Sequence, residues 1–157
     1  MTEAEELQLE CVNFKDGERM PLRNTKRGEN TSPGFEIKNL SPAAKTISIT
    51  MDDIEHPIFG VYNHWLIWNL PAEKTIPEDI PAGKFVPALS NARQGIGYGR
   101  HKYAGPKPPK GKQHTYRFDI YVLDCELDLK DNTRKKHLVS AMESHILQHG
   151  WITGIFE

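Results

Sequence analysis

Apolar and polar positions alternate with a period of two along much of the chain, the pattern of strands that lay one face on a core. Between Thr46 and Met51 the odd positions Ile47, Ile49 and Met51 are apolar and the even ones carry hydroxyls, so the odd set is expected to face inward. From His114 to Leu123 the even positions Tyr116, Phe118, Ile120 and Val122 are apolar against Thr115, Arg117 and Asp119, with Tyr121 as the exception. Leu7, Leu9 and Cys11 alternate with Gln8, Glu10 and Val12, which predicts a half-buried strand within Leu7 to Phe14. Gly34 to Lys38 reads as a short strand ending at Asn39. His64-Trp65-Leu66-Ile67-Trp68-Asn69-Leu70 is almost continuously apolar until Pro71, the pattern of a central strand covered on both faces.

Turn residues punctuate these runs. Lys15-Asp16-Gly17-Glu18 predicts a turn, and Pro21, Gly28, Pro33 and Gly34 break the next stretch into irregular pieces. From Pro71 to Tyr103 the prolines 77, 81 and 87 and the glycines 83, 95, 97 and 99 leave little periodicity. A connection of that length tends to be functional. Gly105-Pro106-Lys107-Pro108-Pro109-Lys110-Gly111 predicts a stiff, extended loop. A 3.6-residue period emerges only near the end, where Leu138, Ala141, Met142, Ile146 and Leu147 predict a helix capped by Asp131, Asn132 or Thr133 and ended by Gly150.

The chain has 157 residues, the size of one domain spanning 1–157. Its 20 basic and 21 acidic side chains nearly cancel, so the molecule as a whole offers no electrostatic reason to bind nucleic acid or an anionic membrane. The acidic start MTEAEELQLE lacks the basic and apolar regions of a signal peptide, and no apolar run approaches the roughly 20 residues of a membrane span. A cytoplasmic protein without a membrane anchor is expected. The two cysteines, Cys11 and Cys125, form neither a disulfide framework nor a zinc spacing, and they read as free thiols or as a single bridge.

Extending the strand parities points to chemistry. Asp53 shares the odd parity of Ile47, Ile49 and Met51, and His114 shares the even parity of Tyr116 and Phe118, so both aim toward the core at strand ends. His64 opens a buried strand. An unpaired carboxylate or imidazole in an apolar core costs several kcal/mol, so such groups either bond to each other or line a wet pocket. Asp53 and Glu55 equally suit turn residues before Pro57, and Tyr116 equally suits a core aromatic. Arg100, Lys102, Lys107, Lys110 and Lys112 precede His114 without an intervening acid. That stretch suits either a solvated basic loop or an electropositive mouth for an anion such as a phosphate ester.

Asp52-Asp53-Ile54-Glu55-His56-Pro57, the strand from His64 to Pro71, Gly97-Tyr98-Gly99, Tyr103 to Gly111 and His114-Thr115-Tyr116-Arg117-Phe118 together resemble the phosphatidylethanolamine-binding protein family. The likeness is to its bacterial and archaeal branch, the Raf kinase inhibitor-like proteins. Gly28 to Pro33 and Gly150 to Gly154 are also similar, so the resemblance runs over nearly the whole chain. It implies a mainly β fold, a sandwich of two antiparallel sheets with a C-terminal α-helix. It further implies a small pocket for phosphate, phosphorylethanolamine or a carboxylate, with Asp53, Glu55, His64, Gly105, Pro106, Pro108, His114 and Tyr116 as ligand-binding residues. The chain departs from the family pattern at Ile54, Glu55, Thr115, Lys26-Arg27 and Phe156, which bear on loop rigidity, nearby charge and a missing hydroxyl.

Three function classes follow. The first is a non-enzymatic binding protein for a small anion, with a protein partner such as a kinase, and a homodimer by resemblance to the bacterial branch; it needs no cofactor. The second is an acid-base hydrolase using Asp53 with His64 or His114, although no Gly-x-Ser-x-Gly elbow or other nucleophile stands beside the histidines. The third is a metal site of His64, His114, Asp53 and Glu55, which lacks local His-x-x-x-His spacing and ranks last.

Overall fold

The computed structural model describes residues 3–157. In chain order the strands are β1 (Glu5–Glu6), β2 (Leu9–Cys11), β3 (Phe35–Ile37), β4 (Thr46–His56), β5 (Gly60–Pro71), β6 (Thr75–Ile76), β7 (Phe85–Val86), β8 (Ala92–Gln94), β9 (His114–Leu123) and β10 (Ile146–Phe156). Among the described residues one α-helix, α1 (Lys135–Met142), precedes β10. A seven-stranded sheet in the order β1-β10-β9-β4-β5-β8-β7 faces a three-stranded sheet, β2-β3-β6. Pairing is antiparallel except for the two-residue parallel contact of β1 with β10.

The alternating runs become the long strands. Between the sheets, Ile47, Ile49 and Met51 of β4 and Phe118, Ile120 and Val122 of β9 pack with Phe35, Ile37 and Trp65 in one buried cluster. The hydroxylated face of β4 is buried as well. Thr46, Ser48 and Thr50 lie under a second layer in which Leu66, Trp68 and Leu123 meet Leu127, Leu138 and Met142. The covering elements are α1 and the segment leading to it, which explains why β5 is apolar on both faces.

Several expectations need correction. The strand within Leu7 to Phe14 is shorter, Leu9–Cys11, although Leu7 and Phe14 are buried as its parity requires for Leu7. The stretch from Pro71 to Tyr103 holds the short strands β6, β7 and β8. The helix ends at Met142, so Ile146 and Leu147 belong to β10 and Gly150 lies inside a strand. Its N-cap is Arg134, whose backbone N–H donates to Nδ1 of His137 at 3.4 Å, while Asp131 pairs instead with Arg93 at 2.9 Å.

The reason β10 escaped notice lies in its inward positions, Gln148, Gly150, Ile152, Gly154 and Phe156, of which only two are large and apolar. A Cβ on Gly150 would stand 2.8 Å from that of Leu7, and one on Gly154 would stand 2.5 Å from Cγ of Met20. The N-terminal segment packs so closely over β10 that side chains are excluded where alternation would have shown. Both cysteines are free thiols.

Candidate functional site

At one end of the large sheet, β4, β5 and β9 and the loops beside them enclose a cavity of about 430 Å³. Asp53 and Tyr116 face each other across the β4–β9 ladder, and Asp53 pairs with Tyr62 across β4–β5. The odd parity of β4 and the even parity of β9 therefore deliver both groups to the same side. His114 stands two residues before Tyr116, and its Nδ1–H donates to Oδ2 of Asp53 at 2.7 Å. Oδ1 of Asp53 accepts the backbone N–H of Glu55 at 2.9 Å. The carboxylate is thus paired on both oxygens, and Nε2 is the ring nitrogen of His114 left for a ligand.

His64 arrives by a different route. Asp52 pairs with Asn63 and Met51 with Trp65, so His64 is the extra residue of a β-bulge. Simple alternation would place it on the face of Leu66 and Trp68. The bulge turns it to the cavity side instead, where it is 5% exposed. Its Nδ1–H donates to the Ala104 carbonyl at 2.8 Å, which fixes the tautomer and leaves Nε2 as an acceptor. Burial lowers its pKa below the ordinary value, against the opposing pull of that carbonyl and of Asp53 and Asp52, so the ring is neutral at neutral pH.

The Gly97-Tyr98-Gly99 segment caps the bulge. Tyr98 N–H donates to the Asn63 carbonyl at 2.9 Å and Gly99 N–H to that of His64 at 3.0 Å. A Cβ on Gly97 would lie 2.4 Å from Oδ1 of Asn63, so this approach requires glycine. Tyr62, Tyr98 and Tyr116 surround the His64 ring edge-on or tilted, with centroids 5.7, 5.1 and 5.5 Å away. Burial first, then the neighbouring Asp53, holds the Tyr116 phenol well above its usual pKa, so its hydroxyl stays protonated and able to donate.

Of the eight residues expected at the site, Asp53, His64, Pro108, His114 and Tyr116 line the cavity. Glu55, Gly105 and Pro106 do not. Glu55 is exposed and accepts the Thr115 hydroxyl at 2.8 Å. Gly105 and Pro106 are buried anchors: Gly105 N–H donates to Oδ1 of Asn30 at 2.7 Å, and the Pro106 carbonyl accepts Lys26 N–H at 2.9 Å. Arg27 donates to the Pro108 carbonyl, which ties the proline loop to the Gly28–Pro33 region. Of the five cations read before His114, only Lys107 lines the cavity, while Lys26 reaches the mouth by lying 4.1 Å above the Tyr98 ring. Much of the remaining wall, including Ile58, Phe59 and Tyr62, comes from the β4–β5 hairpin and was not singled out in the sequence. Its signal was the close spacing of aromatic and apolar residues around Pro57.

Comparison with known proteins places this arrangement in a lineage. The phosphatidylethanolamine-binding protein family matches residues 12–157. A UPF0098 protein of Pyrococcus horikoshii is 38% identical over 146 residues, covering 92% of this chain and 73% of that protein. Among solved structures, a putative phosphatidylethanolamine-binding protein homologue from Chlamydia trachomatis superposes with a TM-score of 0.84 at 26% identity, over 98% of this chain and 99% of that one. YbcL of Escherichia coli, described as a new member of the mammalian family, also reaches a TM-score of 0.84, at 25% identity over 97% and 98% of the two chains. By sequence match and by fold, this chain belongs to the phosphatidylethanolamine-binding protein family.

Proposed function

We propose that the protein is a non-enzymatic binding protein whose cavity takes a small phosphorylated or carboxylate anion. The observation that carries this reading is the convergence of Nε2 of His64, Nε2 of His114 and the Tyr116 hydroxyl on one cavity, with their other polar partners already fixed. A phosphate monoester offers both acceptor oxygens for Tyr116 and a hydroxyl donor for neutral His64. Lys107 and Lys26 supply positive charge at the mouth. Exposed Ile58 and Phe59 continue the wall outward and offer apolar surface to a protein partner such as a kinase. A cytoplasmic location and a homodimer belong to the same proposal; among the described residues no helix is long and apolar enough to cross a membrane.

The second reading, an acid-base hydrolase using Asp53 with His64 or His114, rests on the 2.7 Å Asp53–His114 contact. Against it, no serine, threonine or cysteine lines the cavity among the described residues. Titration with inorganic phosphate or phosphorylethanolamine, followed by histidine ring resonances, should move His64 and His114 together. If neither responds at millimolar ligand, the binding reading is wrong. Phosphoester turnover that disappears in Asp53→Asn would replace it with the hydrolase.

A further inference from the structure

At the far end of β9 from the cavity, we propose that Asp124, Cys125 and His145 form a site for a borderline divalent cation such as zinc. Ten residues of strand separate this end from His114, about 30 Å at ~3.3 Å per residue, so the two places act independently. One donor atom from each of the three side chains lies within 4.8 Å of the other two. Thiolate, imidazole and carboxylate are the donor types that zinc accepts, and the donors of a tetrahedral zinc centre sit ~3.5 Å apart. Closing the remaining gap takes side-chain rotation alone, because the backbone is already fixed.

Three backbone contacts do the fixing. Leu123 pairs with Ile146 across β9–β10, Asp124 N–H donates to the His145 carbonyl at 3.1 Å, and the Cys125 carbonyl accepts the buried Thr46 hydroxyl at 2.7 Å. The side chains are also preassembled without a metal: Nδ1–H of His145 donates to Oδ1 of Asp124 at 2.8 Å, and the protonated Sγ of Cys125 lies within 4.8 Å of a donor atom of each. A cation entering here takes the place of those two protons. The thiol proton leaves to solvent and the imidazole proton moves to Nε2, freeing Sγ, Nδ1 and a carboxylate oxygen to ligate.

The surroundings suit a cation. Glu3 and Glu5 line the hollow beside Asp124 and His145, and among the described residues no lysine or arginine does. The Asp124 and His145 side chains are each 45% exposed, so solvent can both deliver the ion and fill its fourth position. Cys125 and His145 lie far apart in sequence, with no zinc spacing between them. The site is a product of the fold.

Cobalt(II) titration of the full chain tests it, since cobalt bound to thiolate shows a near-ultraviolet charge-transfer band. The expected result is a band saturating at one-to-one stoichiometry, displaced by zinc, abolished in Cys125→Ser and weakened roughly tenfold or more in His145→Ala. Cys11→Ser and His114→Ala should leave it unchanged. Zinc should also raise the thermal midpoint of the unmodified chain and leave that of Cys125→Ser where it is. Absence of the band, its survival in Cys125→Ser, or its loss in Cys11→Ser or His114→Ala would overturn the proposal.

Discussion

Two Asp–His pairs of almost identical geometry sit on β9 and its neighbours, and their surroundings give them opposite characters. Nδ1 of His114 lies 2.7 Å from Asp53, and Nε2 of His149 lies 2.8 Å from Asp119. Asp119 is saturated: it also accepts Nε of Arg117 on both carboxylate oxygens, at 3.2 and 3.1 Å, and Nη2 at 3.1 Å. His149 is stacked on Tyr121 at 4.6 Å, and the guanidinium of Arg117 covers Trp151 at 4.3 Å. Burial works to raise the Asp119 pKa, but the hydrogen bonds from His149 and Arg117 outweigh it and hold the carboxyl below its usual value. Among the described residues no lysine or arginine bonds to Asp53, and its pair opens on a cavity. A carboxylate–imidazole contact is therefore not itself a site. What distinguishes the two is whether the carboxylate is already shared with a guanidinium.

The largest expected effect breaks that comparison by ligand binding. His114→Ala should weaken phosphate or phosphorylethanolamine binding by roughly tenfold or more, worth ~1.4 kcal/mol, whereas His149→Ala should leave it within about twofold, both read by calorimetric titration. Stability should show the reverse order. Asp119→Asn removes a carboxylate shared by Arg117 and His149 and should cost about 1–3 kcal/mol in urea unfolding. Asp53→Asn, which can still accept from Glu55, should cost less than that while losing ligand binding.

A smaller effect separates the cavity from the Asp119 pair by pH. The unfolded His64 imidazole titrates near 6.5 and the folded one below it, so between those values the unfolded state binds more protons. Stability should fall as pH drops from about 6.5 toward the folded value, and His64→Gln should flatten that slope. Asp119 acts in a lower window. Its folded pKa lies below the usual 3.8, so its contribution is complete above that value and is lost as pH falls through the folded one. Smallest of all, Thr115→Ala frees exposed Glu55 and should change stability by no more than about 0.5 kcal/mol, with binding unaffected.

The strands that carry the first pair were legible because each lays a continuous apolar face on the core. Ile47, Ile49 and Met51 fixed the side of Asp53, and Tyr116 to Val122 fixed the side of His114, before any contact was known. His64 resisted the same reasoning, since a bulge between Asn63 and Trp65 shifts the parity by one residue. It entered through family resemblance instead. β10 was concealed by Gly150 and Gly154, which stand where alternation needs large apolar side chains, while Ile146 and Leu147 completed a helical period that the chain does not follow.

By itself the sequence determined the mainly β architecture, the inward direction of Asp53, His114 and Tyr116, and the near-neutral charge that leaves electrostatics to local clusters. These follow from side-chain period and composition, which act within a few residues. Tertiary structure alone decided that Tyr62, Tyr98 and the hairpin tip wall the cavity, and that Glu55, Gly105 and Pro106 stand outside it. It also decided that one Asp–His pair on β9 is spent on Arg117 while the other opens on a pocket. Those outcomes depend on which distant segments meet, and no local period along the chain encodes that.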